Sequence, residues 1–103
     1  MAIVSGFLVV GEAGKLIQMT QIGVDISSAQ ALTIVAAPPT GDPPLSLAAG
    51  YVNDPVLGEI AQYVTTGKEF TTPGLWYLQL WVQFADGQLL KAIQQAVQVY
   101  ASL

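Results

Sequence analysis

Any acid–base chemistry in this chain would have to come from seven carboxylates: Glu12, Asp25, Asp42, Asp54, Glu59, Glu69 and Asp86. There is no histidine and no cysteine. Nucleophile–imidazole arrangements, imidazole or thiolate metal ligation and disulfide bridges are therefore closed to it. A glycosidase-type pair needs two acids brought together across the fold. Five of the seven instead stand beside Gly or Pro, where acids build turns and solvate loops. Asp54-Pro55 and Asp86-Gly87 are explained in full as turns. No Asp-x-Asp-x-Asp-Gly calcium spacing occurs, Gly11-x-x-Gly14 is not followed by a Lys-Ser or Lys-Thr pair, and there is no GxGxxG. The expectation is a protein with no catalytic residues, no cofactor and no metal.

Two aromatic residues offer a different chemistry. Tyr77 and Trp81 stand among glutamines in the run GLWYLQLWVQFADGQ, residues 74 to 88. Aromatic rings beside amides stack on sugars in carbohydrate-binding modules, and they equally fill protein interfaces. What must position them is a strand. From Leu75 to Phe84 the residues alternate, with Trp76, Leu78, Leu80, Val82 and Phe84 on one face and Tyr77, Gln79, Trp81 and Gln83 on the other. The first face is a core face; the second is expected to meet a neighbour. Asp86-Gly87 suits a tight type I′ turn that folds the strand back onto the next segment of chain.

Composition supports association. Apolar residues make up 52% of the 103 and charged residues only 10%, against about 25% charged in an average soluble chain. A surface so short of charge is expected to be covered by other protein. Lys15, Lys68 and Lys91 are the only basic residues, and the net charge is −4, which disfavours nucleic acid. No run approaches the roughly 20 apolar residues of a membrane-spanning helix. Residues 1 to 10, MAIVSGFLVV, lack a basic flank and are short for a signal sequence, so they read as a strand.

Ten glycines and six prolines divide the chain into short pieces, the punctuation of a single all-β domain spanning residues 1–103. Strands are expected near 2–10, 15–22, 31–36, 45–52, 57–65, 75–84 and 92–100, with a hairpin loop at Gly11 to Gly14. Seven strands at this spacing suggest a sandwich of two antiparallel sheets. The stretch from Pro38 to Pro44 is a stiff exposed loop, because proline lacks the ladder donor. In the last segment Leu89, Ile93, Ala96, Val97 and Tyr100 also fit a helix. The turn before it and the alternation of Val97 and Val99 favour strand.

Several of these pieces together resemble a known family. Gly23-Val-Asp25-Ile-Ser27-Ser-Ala29, Leu32-Thr-Ile34 with its Pro-Thr-Gly loop, and Gly58-Glu-Ile-Ala-Gln-Tyr63-Val come first. Phe70-x-x-Pro73-Gly74-x-Trp76-x-Leu78-Gln79, Phe84-Ala-Asp86-Gly87 and Val97-Gln-Val99 come after them. The set is similar to small tailed-phage structural domains, those of the N-terminal domain of siphophage upper baseplate proteins and its short stand-alone relatives. The resemblance implies an immunoglobulin-like β-sandwich of about seven strands, without enzymatic activity. It implies a place on the virion of a phage made in the host bacterial cytoplasm. There the domain would be a homo-oligomeric or multi-copy accessory protein, a capsid cement or decoration protein or an adaptor at the neck, tail or baseplate. Family members sometimes bear a receptor-binding or fibre module, a role not expected of this sequence, which shows no fibre or coiled-coil extension before Leu103. Expected contact residues are Phe7, Leu8, Tyr77 and Trp81, with Pro39 and Pro43 in the loop. Residues 1–10 would be either the domain's own first strand or an arm laid on a neighbouring subunit. The alternative function is a glycan-binding or adhesin module using Trp81 and Tyr77.

Overall fold

In the computed structural model, which describes residues 2–4, 8–20, 25–56 and 58–103, the 74–83 run lies at the centre of an all-β fold. It is strand β7 (Gly74–Gln83), and its burial alternates as the sequence dictates. Trp76 is 2% exposed, and Leu78, Leu80 and Val82 are fully buried. Seven consecutive residue pairs, Ala31↔Gln83 to Ala37↔Tyr77, join it to β4 (Ala31–Ala37). On its other side it pairs with β9 (Gln95–Tyr100) and the short β8 (Leu89–Lys91). The contested C-terminal segment is therefore strand.

The remaining strands are β1 (Ala2–Val4), β2 (Leu8–Val9), β3 (Ala13–Met19), β5 (Leu45–Asp54) and β6 (Gly58–Thr66). Pairing is continuous in the order β1-β3-β6-β5-β4-β7-β9-β2, with β8 beside β7. Strand β5 makes this continuity: Leu45–Ala49 pair with β4, and Gly50–Asp54 pair with β6. The path is mixed rather than purely antiparallel, because β2 runs parallel to β9. Its two ends are the first two strands, and four chain steps separate Val4 from Leu8. At about 3.6 Å per residue those steps span at most about 14 Å. The sheet therefore curls into a nearly closed barrel around its apolar interior.

Residues 2–10 divide their pairing, β1 lying antiparallel on β3 and β2 joining β9. The Gly11–Gly14 turn thus links two strands that do not pair with each other, and the expected hairpin there is corrected. Positive φ angles of 79° and 82° explain both glycines. Asp86-Gly87 also departs from the expected type I′ turn. A type I′ turn needs positive φ at both central residues, yet only Gly87 has it, at 92°. The Gly87 amide bonds the Phe84 carbonyl at 3.0 Å and the Phe84 amide bonds the Gln88 carbonyl at 2.9 Å. This is a longer hairpin loop closed by glycine, with the Asp86 carboxylate accepting from the Gln88 amide at 2.9 Å.

The core gathers Ile17 and Met19 from β3, Ile34 and Ala36 from β4, Leu47 from β5, Ala61 from β6, the inward face of β7 and Val99 from β9. Phe70 meets Trp76 edge to face, with centroids 4.9 Å apart. The Trp76 Nε1 donates to the Thr72 carbonyl at 2.9 Å, so the buried indole keeps its hydrogen bond. Thr65, 3% exposed, sits where the β3–β6 register shifts between Ala13 and Leu16. Its hydroxyl accepts from the Lys15 amide and donates to the Glu12 carbonyl, both at 3.0 Å, satisfying backbone groups that the shift removes from the ladder.

Candidate interaction surface

Directly opposed residues share a face of a sheet, so the registers assemble the outer surface around Tyr77 and Trp81. Trp81 lies opposite Thr33 and Lys91, Gln79 opposite Val35, and Tyr77 opposite Ala37 and Ala96. Beyond β4, Ser46 and Ala48 of β5 face Val35 and Thr33. Lys91 is the one charged residue among these positions. The array is a shallow face of aromatic, aliphatic and amide groups.

Its aromatic residues differ in freedom. Tyr77 is 45% exposed. Trp81 is half-buried and held in place: its Nε1 donates to Gln79 Oε1 at 2.7 Å, and Gln79 Nε2 donates to the Ala92 carbonyl at 2.7 Å. Lys91 Nζ lies 4.2 Å from the centroid of the indole. Both ends of the Gln79 amide and one face of the Trp81 ring are thereby occupied within the chain.

The other expected contact residues lie elsewhere. Leu8 is 2% exposed and belongs to the core, so its side chain is not on the surface. Phe7 lies outside the described residues. Pro39 and Pro43 are exposed in the 38–44 loop, far along the chain from Trp81 but close to the start of β7. A Cβ on Gly74 would come within 3.0 Å of Pro39 Cγ. Pro38, Pro43, Leu45 and Trp76, with Asp42 and Lys68, line a cleft of about 210 Å³ under that loop. Small-molecule sites usually run from about 300 to 1,000 Å³.

The carboxylates divide into structural settings. Glu69, 7% exposed, accepts from the Tyr63 hydroxyl, from Thr66 through its amide and hydroxyl, and from the amides of Gly67 and Lys68. Burial pushes its carboxyl up, but these donors together outweigh burial and hold it at about 2. The Tyr63 hydroxyl is pushed up to about 12, chiefly by its bond to Glu69. Glu59 accepts from the Ile26 amide at 3.3 Å and from Tyr51 Oη at 3.2 Å, tying the loop before β4 to β5 and β6. Asp25 is lowered by its bonds from the Ser27 hydroxyl and amide, and further by Glu59. Glu12 pairs with Lys15 at 3.3 Å. Among the described residues, no three His, Cys, Asp or Glu side chains come together as a metal-binding group.

Sequence reasoning found Tyr77 and Trp81 but missed Val35, Thr33, Ala48 and Lys91 as their neighbours. ALTIVAA is apolar at nearly every position, so its outward face carried little polar signal. No protein-family model matches the chain, and no curated protein matches it.

Proposed function

We propose that this chain is a non-enzymatic structural component of a tailed-phage virion, an immunoglobulin-like accessory domain. It docks on other virion proteins through the outer face of β5, β4, β7, β8 and β9. The observation that carries the docking reading is the face itself: five neighbouring strand segments with Tyr77, Trp81, Val35 and small side chains, and Lys91 as their one charge. Such a patch gains free energy when covered, on the order of 25 cal/mol per Å² of apolar area before ordering costs are subtracted.

The neighbour order supports the immunoglobulin-like assignment. In that sandwich the strands run A-B-E-D in one sheet and C-F-G in the other. With the chain's β1, β3, β4, β5, β6, β7 and β9 taken as A to G, β1-β3-β6-β5 and β4-β7-β9 match both orders. Strand β5 then spans the two halves. The motif resemblance to siphophage baseplate domains gives the virion its place in the proposal.

The test is to purify phage particles containing this chain and image them at side-chain resolution. The proposal expects Tyr77 and Trp81 covered by a second polypeptide. Exposure of both to solvent in the intact particle, or absence of the chain from purified virions, overturns it. The glycan reading predicts instead a saturable tryptophan fluorescence shift when the isolated protein is titrated with host-surface polysaccharide. Lys91 over the ring and the occupied Gln79 amide leave little of this site open to a sugar.

A further inference from the structure

The edges of the strand path are finished in different ways. On the β8–β9 side, Trp81↔Lys91 and Leu78↔Gln95 enclose two residues of β7 but three of the facing segment, 92 to 94. One residue is therefore bulged out, and Ile93 is 82% exposed. Strand β2 covers Val99 and Tyr100, and Lys91 adds a charge. A bulge, a lysine and a short covering strand are the devices that keep edges from pairing with other chains.

The first half of β5 carries none of them. Leu45–Ala49 each have a ladder partner in β4, in one unbroken register from Ala36↔Leu45 to Leu32↔Ala49. Among the described residues they have no strand partner on the opposite side. The five residues, Leu-Ser-Leu-Ala-Ala, include no proline and no charge. A free strand edge is completed by another extended backbone, and side chains decide which one.

This edge complements itself. Turned antiparallel on a second copy about Leu47, it places Leu45 opposite Ala49 and Leu47 opposite Leu47 on the inward side. Ser46 falls opposite Ala48 on the outward side. Leu45 thus meets the small Ala49, the two Leu47 side chains meet at the axis, inward residues meet inward ones, and no like charges face each other, although each copy carries −4 overall. We propose that β5 is a homodimerisation edge, joining two copies across a two-fold axis at Leu47 into a continuous β4-β5-β5-β4 sheet. Main-chain ladder bonds hold the copies together, and the two charge-poor outer faces become one surface. The inference rests on strand geometry and stands apart from the virion reading.

An edge of five residues buries less than the roughly 1,200 Å² of a stable interface, so the dimer is weak and needs concentrated protein. Sedimentation equilibrium of the whole chain up to about 1 mM should show a monomer–dimer equilibrium. Ser46 and Ala48 are exposed, so both can be charged without disturbing the core. The double variant S46K/A48K sets lysine opposite lysine twice and should weaken association tenfold or more. S46K/A48E sets lysine opposite glutamate twice and should associate at least as tightly as the unaltered chain. Strictly monomeric unaltered protein, a lysine variant that dimerises equally well, or two double variants that behave alike would each overturn the proposal. Those results leave the particle-imaging test of the virion reading untouched.

Discussion

Lys91 lies over the indole of Trp81, its Nζ 4.2 Å from the ring centroid, and the two are directly opposed across β8 and β7. The exposed side chain thus sets its cation over one face of an aromatic ring that would otherwise be more exposed.

Lys91→Ala should therefore bare one face of the ring. The expected result is a red-shifted Trp81 emission and a stability loss of no more than about 1 kcal/mol. With Trp76 replaced by phenylalanine in the background, the shift is read from Trp81 alone. An unchanged spectrum would mean that the lysine does not cover the ring in solution.

The two tryptophans should respond unequally to truncation. Trp76 is 2% exposed against Phe70, and Trp76→Ala should cost about 3–5 kcal/mol by chemical denaturation. Trp81→Ala removes a half-buried outward ring and should cost about 1 kcal/mol; under the proposed docking role it also weakens attachment to the particle.

Thr65→Val keeps the shape of a buried side chain but removes its hydroxyl. The Lys15 amide and Glu12 carbonyl lose their partner at the register shift between β3 and β6. A loss of about 2 kcal/mol is expected, together with faster amide hydrogen exchange at Lys15. Thr65→Ser, which keeps the hydroxyl, should retain slow exchange there.

Stability should fall at both pH extremes through one pair of residues. Glu69 is depressed from 4.5 to about 2, so its contribution is complete above 4.5 and is lost as pH drops toward 2. Tyr63 is raised from 10.0 to about 12, so its contribution is complete below 10 and is lost as pH climbs toward 12. Urea titrations across both ranges check the signs. Glu69→Gln should cost about 2 kcal/mol at pH 7 and flatten the acid limb between 4.5 and 2.

Much of the fold was legible because alternation is a local property. β7 shows it directly: a period of two over ten residues sends Trp76 inward and Trp81 outward whatever the partners are. The breaks at Pro38 to Pro44 and at Pro55 were equally local, since proline denies the ladder a donor, although Asn53 and Asp54, expected in the turn, are paired residues of β5. The finer turn geometry was not legible. Asp86-Gly87 is compatible with several hairpin loops, and the hydrogen bonds of Phe84 select among them. Likewise, one apolar stretch at residues 2–10 gave no hint that β1 and β2 would take different partners.

The amino-acid order by itself determined that the chain is all-β, roughly where its longer strands run, that β7 buries one face, and that the chain is poor in charge. Each of these comes from side chains read against their immediate neighbours. Only the tertiary structure decided which residues surround Tyr77 and Trp81, that Leu8 belongs to the core, that Glu69 is caged by Tyr63 and Thr66, and which strand edge lacks a partner among the described residues. Those outcomes depend on strand registers between segments up to tens of residues apart, and a one-residue slip in any register would turn a face inside out.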